Sequence, residues 1–341
     1  MKSTFIGLVA AVVVIGGGYL LVQNSRVDAN AQEVIESTFQ NSAASMNSYT
    51  IEGNMDMDVE TEEGGGNMNF TYSGAMEKTV LSDGKLEIEG TLSMGADFDI
   101  DAAETVVAGN VVLDAVIKGE VFYLKVKLSD ELLSQIPVPM FTDLNDTWIK
   151  ISLEEIRSSG LLPPEALAQF DAQIDAQGGL YGNADLQEKM IRLVADSKIL
   201  KALSIKNGPT LEGKETYVLA VTIDPTKLDD FTIAYMELVA PGTELTPPTD
   251  EQIAEMEAAT TKFLKDLEAE IVVEKESRFL RGITIHMPIN DEETNTKITV
   301  DGNFTYNNIN EPVEITVPAE STSIMDILAP FLGAMMMAPA Q

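Results

Sequence analysis

From Tyr49 to Glu60 the chain changes character at every residue. Tyr49, Ile51, Gly53, Met55, Met57 and Val59 alternate with Thr50, Glu52, Asn54, Asp56, Asp58 and Glu60. A helix would spread both sets around its axis, whereas a strand sends successive side chains to opposite faces. The segment is therefore a strand with one dry side and one wet side. A second run, with Met68, Phe70, Tyr72 and Met76 as its dry set, follows the turn Glu62-Glu63-Gly64-Gly65-Gly66. A third carries Leu86, Ile88, Leu92, Met94, Phe98 and Ile100 after the turn Ser82-Asp83-Gly84. A fourth spans about Val106 to Lys118, a fifth shows Phe122, Leu124, Val126 and Leu128, and a short one covers Trp148 to Ile151. Consecutive one-sided strands joined by turns predict an antiparallel meander. Sheets with strands this long twist and curl, so the dry face needs a cover on the inside of the curve.

The middle of the chain offers that cover. Pro163-Pro164 opens a helix to about Ala176, and a second runs from about Asp185 to Leu203 with Leu186, Met190, Leu193, Val194 and Leu200 along one side. Leu211 to Ile223 returns to strand. Asp224-Pro225 starts a helix with Leu228, Phe231, Tyr235 and Leu238 on one face. Thr249 or Asp250 caps another, with Ile253, Met256, Thr260, Phe263 and Leu267 as its stripe. Three more strands follow, through Phe279 to Ile289, Ile298 to Tyr306 and Val313 to Val317. Strands, then helices, then strands predict an α+β fold. Its form is a long curved antiparallel β-sheet, a half-barrel, with helices packed on the concave apolar face. Neither group of strands has helix enough for its own dry face, so residues 32–320 read as a single domain, followed by an apolar tail at 321–341.

The start of the chain is an address. Lys2 precedes the uncharged apolar run Phe5 to Val22. Such a run serves as a single-pass transmembrane anchor or as a signal peptide, with Ala29-Asn30-Ala31 as a small-x-small cleavage pattern. Both readings of residues 1–31 put the folded part outside the cytoplasm, tethered to the cell membrane or, after cleavage, secreted.

Composition removes several function classes. The chain has 55 Asp+Glu against 22 Lys+Arg, a net charge of -33, one His and no Cys. Thiolate metal sites and disulfides are excluded. A surface this acidic repels nucleic-acid phosphates, so no nucleic-acid partner is expected. Asp97, Asp99 and Asp101 carry the oxygens calcium prefers, but a calcium loop beginning at Asp97 wants Gly and an acid where Ala102 and Ala108 stand. Their alternation with Phe98 and Ile100 marks a solvated strand face. His286, between Ile285 and Met287, is out of phase with the apolar set and has no nucleophile motif beside it. Glu154-Glu155 and Asp229-Asp230 read as helix-start acids. No catalytic residue, metal or cofactor is assigned, and the chain is read as a non-enzyme.

The order of elements resembles the LolA-like group of bacterial lipoprotein carriers and the related LppX/LprG-type lipoproteins. The resemblance rests on the helix Gln32 to Ser45 leading into the Tyr49 strand, and on Asp146-Thr147-Trp148-Ile149-Lys150. It continues with Glu212 to Tyr217, Val221-Thr222-Ile223-Asp224, and Asn310 to Pro318, covering about residues 33–320. There is no lipobox cysteine. The resemblance implies acyl chains held between sheet and helices. Sixteen Met residues, several on dry faces, suit a cavity that adapts to a flexible ligand. Candidate lining residues are Met55, Met57, Phe70, Met94 and Phe122 from strands, and Met190, Val194, Phe231 and Phe263 from helices. The expected function is a membrane-tethered extracytoplasmic protein that binds a lipid or other hydrophobic ligand. The alternative is a structural or sensory surface module with a solid core.

Overall fold

The computed structural model describes residues 29–62, 64–80, 86–102, 105–135, 144–159, 197–224, 227–239, 267–291 and 295–327, with isolated positions at 167, 168, 189 and 193. Helix α1 (Ala29–Ser45) leads into five strands: β1 (Ser48–Thr61), β2 (Gly64–Val80), β3 (Leu86–Ala102), β4 (Thr105–Lys118) and β5 (Val121–Leu128). Then come α2 (Asp130–Gln135), β6 (Ile149–Ser152), α3 (Leu153–Ser158), β7 (Leu200–Asn207), β8 (Thr216–Ile223) and α4 (Leu228–Val239). β9 (Glu268–Glu274), β10 (Leu280–Asp291), β11 (Thr296–Asn307) and β12 (Thr322–Ser323) complete the set. The strands form one open sheet in the order β12-β6-β5-β4-β3-β2-β1-β11-β10-β9-β8-β7. The early and late groups of strands thus belong to the same sheet. It is mixed rather than wholly antiparallel, because β12 runs parallel to β6.

The chain divides into two compact units. The first gathers the described residues of Met1–Met46, Met57–Glu62 and Gln187–Tyr306. Its core is dry. Leu219 and Val273 are 0% exposed, and Ile271, Ile283, Val221 and Ile223 are nearly so. These side chains line up by register, with Leu219 opposite Ile271 and Ile271 opposite Ile283. Burying one such aliphatic side chain stabilises by roughly 1.5–3 kcal/mol. α1 packs on β7 and β10. Its buried residues Ala31, Val34, Ile35, Thr38 and Phe39 recur at the three-and-four spacing of one helix face. Thr38 sits in that stripe because its hydroxyl donates to the Val34 carbonyl at 2.7 Å. Gln32 reaches the terminal strand β7. Its Nε2 donates to the Leu200 carbonyl at 3.1 Å, and its Oε1 accepts from the Ala202 amide at 3.0 Å.

A buried ion cluster fixes the β7–β8 hairpin of this unit. Arg281 donates through Nε and Nη2 to Glu274 Oε2 at 3.0 and 2.6 Å, and through Nη1 to Glu212 Oε2 at 2.7 Å. Glu212 and Gly213 form the turn between Leu211 and Lys214 with φ of 49° and 76°. Glycine adopts that region freely; a glutamate does so at a cost, here offset by its charge-assisted bond to Arg281.

The second unit gathers Asn47–Asp56 and the described residues of Glu63–Leu186 and Asn307–Gln341. It is built on β2–β6 in antiparallel register. Gly119, at φ 58°, makes the tight turn between Lys118 and Val121. α2 lies on β4, where Leu132 fills the space a side chain at Gly109 would take. Ser152 caps α3, accepting from the Glu155 amide at 3.3 Å, and Glu154 and Glu155 fall in the first turn.

Two further expectations need correction. Leu200 to Leu203 begins a strand and does not end a helix. Its backbone pairs with β8 on one side and with Gln32 on the other, which a helix would forbid. Val313 to Val317 lies outside any ladder. Pro312 and Pro318 flank it without amide hydrogens, and the last strand of the sheet is Thr322–Ser323 instead. β9 (Glu268–Glu274) lies just beyond the helical stripe that ends at Leu267, in a stretch for which the sequence pattern predicts no element. Residues 1–28, the turn at 82–84, most of the helix from Pro163 to Ala176, most of the segment from Asp185 to Asp196, the segment from Thr249 to Asp266 and the tail beyond 327 lie outside the described residues. Among the described residues no helix is long and apolar enough to cross a membrane.

Candidate functional site

The second unit presents two chemically opposed faces, and the register says which side chain stands on each. On one face, Met76, Gly90, Ile117, Phe122 and Ile151 form a single row across β2–β6. The adjoining rows are Gly74-Leu92-Ala115-Leu124-Ile149, Tyr72-Met94-Leu113-Val126 and Phe70-Ala96-Val111-Leu128. These rows carry no charge. Lys78, one pair further along opposite Ile88, is the only charged side chain on this face among the described residues of β2–β6. Burial lowers the Lys78 pKa and raises that of the Tyr72 phenol, both signs of an apolar setting.

This wall is not sealed. Met76 and Phe122 are each 36% exposed, and Phe70, Met94 and Leu113 are only half-buried. Gly90 stands between Met76 and Ile117 with no side chain and is itself buried, with the Ala75 carbonyl 3.0 Å from where a Cβ would sit. The Tyr49 hydroxyl contacts Met76 Sδ at 3.2 Å, which puts the dry set of β1 on the same side. Met55 shares the phase of Tyr49 and is 9% exposed. Of the expected lining residues, Phe70, Met94 and Phe122 therefore share one wall, with Met55 in phase on the adjoining strand. Met57 is half-buried in β1, in the part of that strand assigned to the first unit. Phe231, also in the first unit, stacks on Tyr235 within α4 with ring centroids 6.3 Å apart. Met190, Val194 and Phe263 lie outside the described residues.

The opposite face is polar. Ser73, Ser93, Asp114 and Lys125 form one row across β2–β5. Ser93 Oγ donates to Asp114 Oδ1 at 2.6 Å, and Lys125 Nζ lies 2.9 Å from Asp114 Oδ2 and 3.5 Å from Asp146. Burial pushes the Asp114 pKa up, but the hydrogen bonds from Ser93 and Lys125 outweigh it and hold the carboxyl below its usual range. The hydrogen bond to Asp114 raises Lys125. Lys125 Nζ also stands 5.1 Å from the centre of the Trp148 ring. The approach to Trp148 is pinned to β5. Asn145 accepts from the Leu128 amide at 2.7 Å and donates to its carbonyl at 3.2 Å, and the Asp146 amide donates to the Val126 carbonyl at 2.8 Å. An open cleft of about 480 Å³ lies on this face. Thr50, Ile51, Glu52, Ser73, Gly74, Thr91, Leu92, Ser93, Asp114, Trp148 and Asn308 line it, with buried Val116 beside them. Sequence reasoning passed over this cleft, because its members look like ordinary wet-face residues until register joins them.

The other candidates fall on the surface. Asp97, Asp99 and Asp101 are exposed on the polar face of β3, and Asp97 accepts from Asn110 Nδ2 at 2.8 Å. His286 is exposed and pairs with Asp301 at 2.7 Å in the first unit. Among the described residues no group of carboxylate, imidazole or thiol side chains is placed to hold a metal.

Comparison with known proteins adds little chemistry. A family described as "Family of unknown function (DUF6612)" matches residues 184–323, less than half of the chain. No curated protein matches. The solved structure of a DUF1329 family protein from Desulfovibrio piger ATCC 29098 is similar at 8% identity, covering 83% of this chain and 94% of that one, with a TM-score of 0.18. MucB in complex with MucA(peri) is similar at 8% identity, covering 80% and 93%, with a TM-score of 0.12. Superpositions this loose carry no argument for a shared fold or function. The chain is thus similar over residues 184–323 to a family without an assigned activity.

Proposed function

We propose that this is a membrane-tethered extracytoplasmic protein that holds a lipid or other acyl-chain ligand against the apolar face of β2–β6. One observation carries the reading. The wall is apolar over four consecutive cross-strand rows, yet its outermost side chains, Met76 and Phe122, keep 36% exposure. Exposed apolar surface arranged as a continuous patch marks a binding face more often than chance. Methionine and aromatic side chains suit a ligand of variable shape. The anchoring role of the N-terminal apolar run and the location outside the cytoplasm belong to the same proposal.

The test uses the full-length chain. A fluorescent fatty acid should bind saturably and be displaced by unlabelled lipid. Replacing both Met76 and Phe122 by Ser should weaken binding about tenfold or more, the effect of losing roughly 1.5–3 kcal/mol of apolar contact. Both side chains are exposed, so the fold should survive the change. No saturable binding by the unaltered chain, with no lipid in its native mass spectrum, rejects the carrier reading. The second reading, a structural or sensory module without ligand, draws support from the interlocked core of the first unit, where Leu219 and Val273 are wholly enclosed.

A further inference from the structure

The apolar face of β2–β6 carries one chemical exception, and it narrows what the face can hold. Lys78 follows Met76 in the dry phase of β2, opposite Ile88. Its amide donates to the Asn47 carbonyl at 2.7 Å, which fixes this end of β2 against the chain entering β1. A lysine beside grease usually lays its stem on it and lifts its ammonium into water. Here the head stays close to apolar groups: the residue is half-buried, and burial lowers its pKa. The carboxylates nearest in register belong to the other face. Glu77 stands opposite Glu89, and Thr79 opposite Glu87, all in the polar phase. Glu89 lies 3.6 Å from Lys118 there. Among the described residues of β2–β6, the apolar face therefore holds one cation and no carboxylate.

Given the lipid reading above, on which this inference rests, we propose that the ligand is a long-chain fatty acid, with its carboxylate on the Lys78 ammonium and its acyl chain along β2 from Met76 toward Phe70. Charge decides the headgroup. A partly desolvated ammonium gains more from an anion than one in water, because the attraction is less screened. A neutral ester leaves that ammonium uncompensated, and a choline or amine headgroup is repelled by it. An ammonium has three donor hydrogens, so a carboxylate joins the contacts it already makes. Size favours a carboxylate over a phosphodiester, since Lys78 is half-buried and the partner must follow it in. Length fits as well. Lys78 to Tyr72 spans about 20 Å at ~3.4 Å per residue. One acyl chain needs about 15 Å, half of a hydrocarbon core of ~30 Å. The net charge of -33 opposes the approach of any anion. Salt screens that repulsion beyond about 8 Å, whereas the contact at Lys78 is direct.

Equilibrium dialysis of the full-length chain against radiolabelled lauric acid and methyl laurate compares one acyl chain with and without its charge. The double replacement of Met76 and Phe122 by Ser measures uptake by other apolar segments. At neutral pH the acid should bind at least about tenfold tighter than the ester, the effect of one hydrogen bond between charged groups. Lys78→Met keeps an apolar stem and should bring the acid to the affinity of the ester. Lys78→Arg keeps the charge and should retain the preference. Equal affinities for acid and ester in the unaltered chain overturn the proposal and leave the lipid reading standing. A preference that survives in Lys78→Met does the same, as does tighter binding of dilauroyl phosphatidylglycerol than of lauric acid. If neither laurate binds saturably, the lipid reading falls and the fatty-acid assignment falls with it.

Discussion

Thr222 is 0% exposed, and its hydroxyl has no hydrogen-bond partner in the structure. An enclosed hydroxyl in that position has given up water for nothing, a cost of about 1–3 kcal/mol. Valine has the same shape without the polar atom. Thr222→Val should therefore stabilise the protein by roughly 1 kcal/mol, seen as a higher urea midpoint at unchanged slope. Asp114 illustrates the reverse case, a polar group whose partners are all in place. Its pKa is lowered in the folded state, so its contribution is complete above the unfolded value of about 3.9 and fades as pH falls through the folded one. Asp114→Asn should cost stability at pH 7, and the difference from the unaltered chain should shrink below about pH 4. A difference that stays constant across that range would show that the charge on Asp114 contributes nothing.

At the scale of elements, Gln32 does the work of a neighbouring strand. β7 ends the sheet, and an exposed edge invites another chain to pair with it. The Gln32 side chain occupies one donor and one acceptor of that edge, and Lys201 and Lys206 place charge along it. Gln32→Ala should cost about 1–2 kcal/mol, for two hydrogen bonds of about 1 kcal/mol or less each, and speed hydrogen exchange at the Ala202 amide. Unchanged exchange there would show that the contact does not protect the edge. The long strands were legible in the sequence because period two persists in them for many residues. β7 was not. A bulge between Ala202 and Ser204 breaks its alternation, and Leu200 and Leu203 then fit a helical spacing equally well. β9 alternates Ala269, Ile271 and Val273 with Glu268 and Glu270, but it is short and follows directly on a stretch with helical spacing. The segment Val313 to Val317 alternates too, yet alternation does not supply a partner to pair with.

Across the whole chain, acid dominates the wet faces. Lysines spread over them pair with single carboxylates, as in Lys118–Glu89, Lys206–Glu270 and Lys297–Glu60. Exposed pairs of this kind contribute little to stability. The unpaired excess of negative charge keeps copies apart and disfavours polyanions. The apolar wall was readable from sequence at the level of Phe70, Met94 and Phe122, since one phase of each strand stayed greasy. The polar cleft was not, since Ser73, Ser93 and Asp114 sit on three separate strands and only hydrogen-bonded register makes them neighbours. In the second unit the same five strands carry grease on one side and hydroxyls on the other. Adding or deleting one residue within β3 would exchange the destinations of every side chain beyond it, whereas a change of two would restore them. Inherited length variation in these strands is therefore expected in even steps, with single-residue changes confined to the turns.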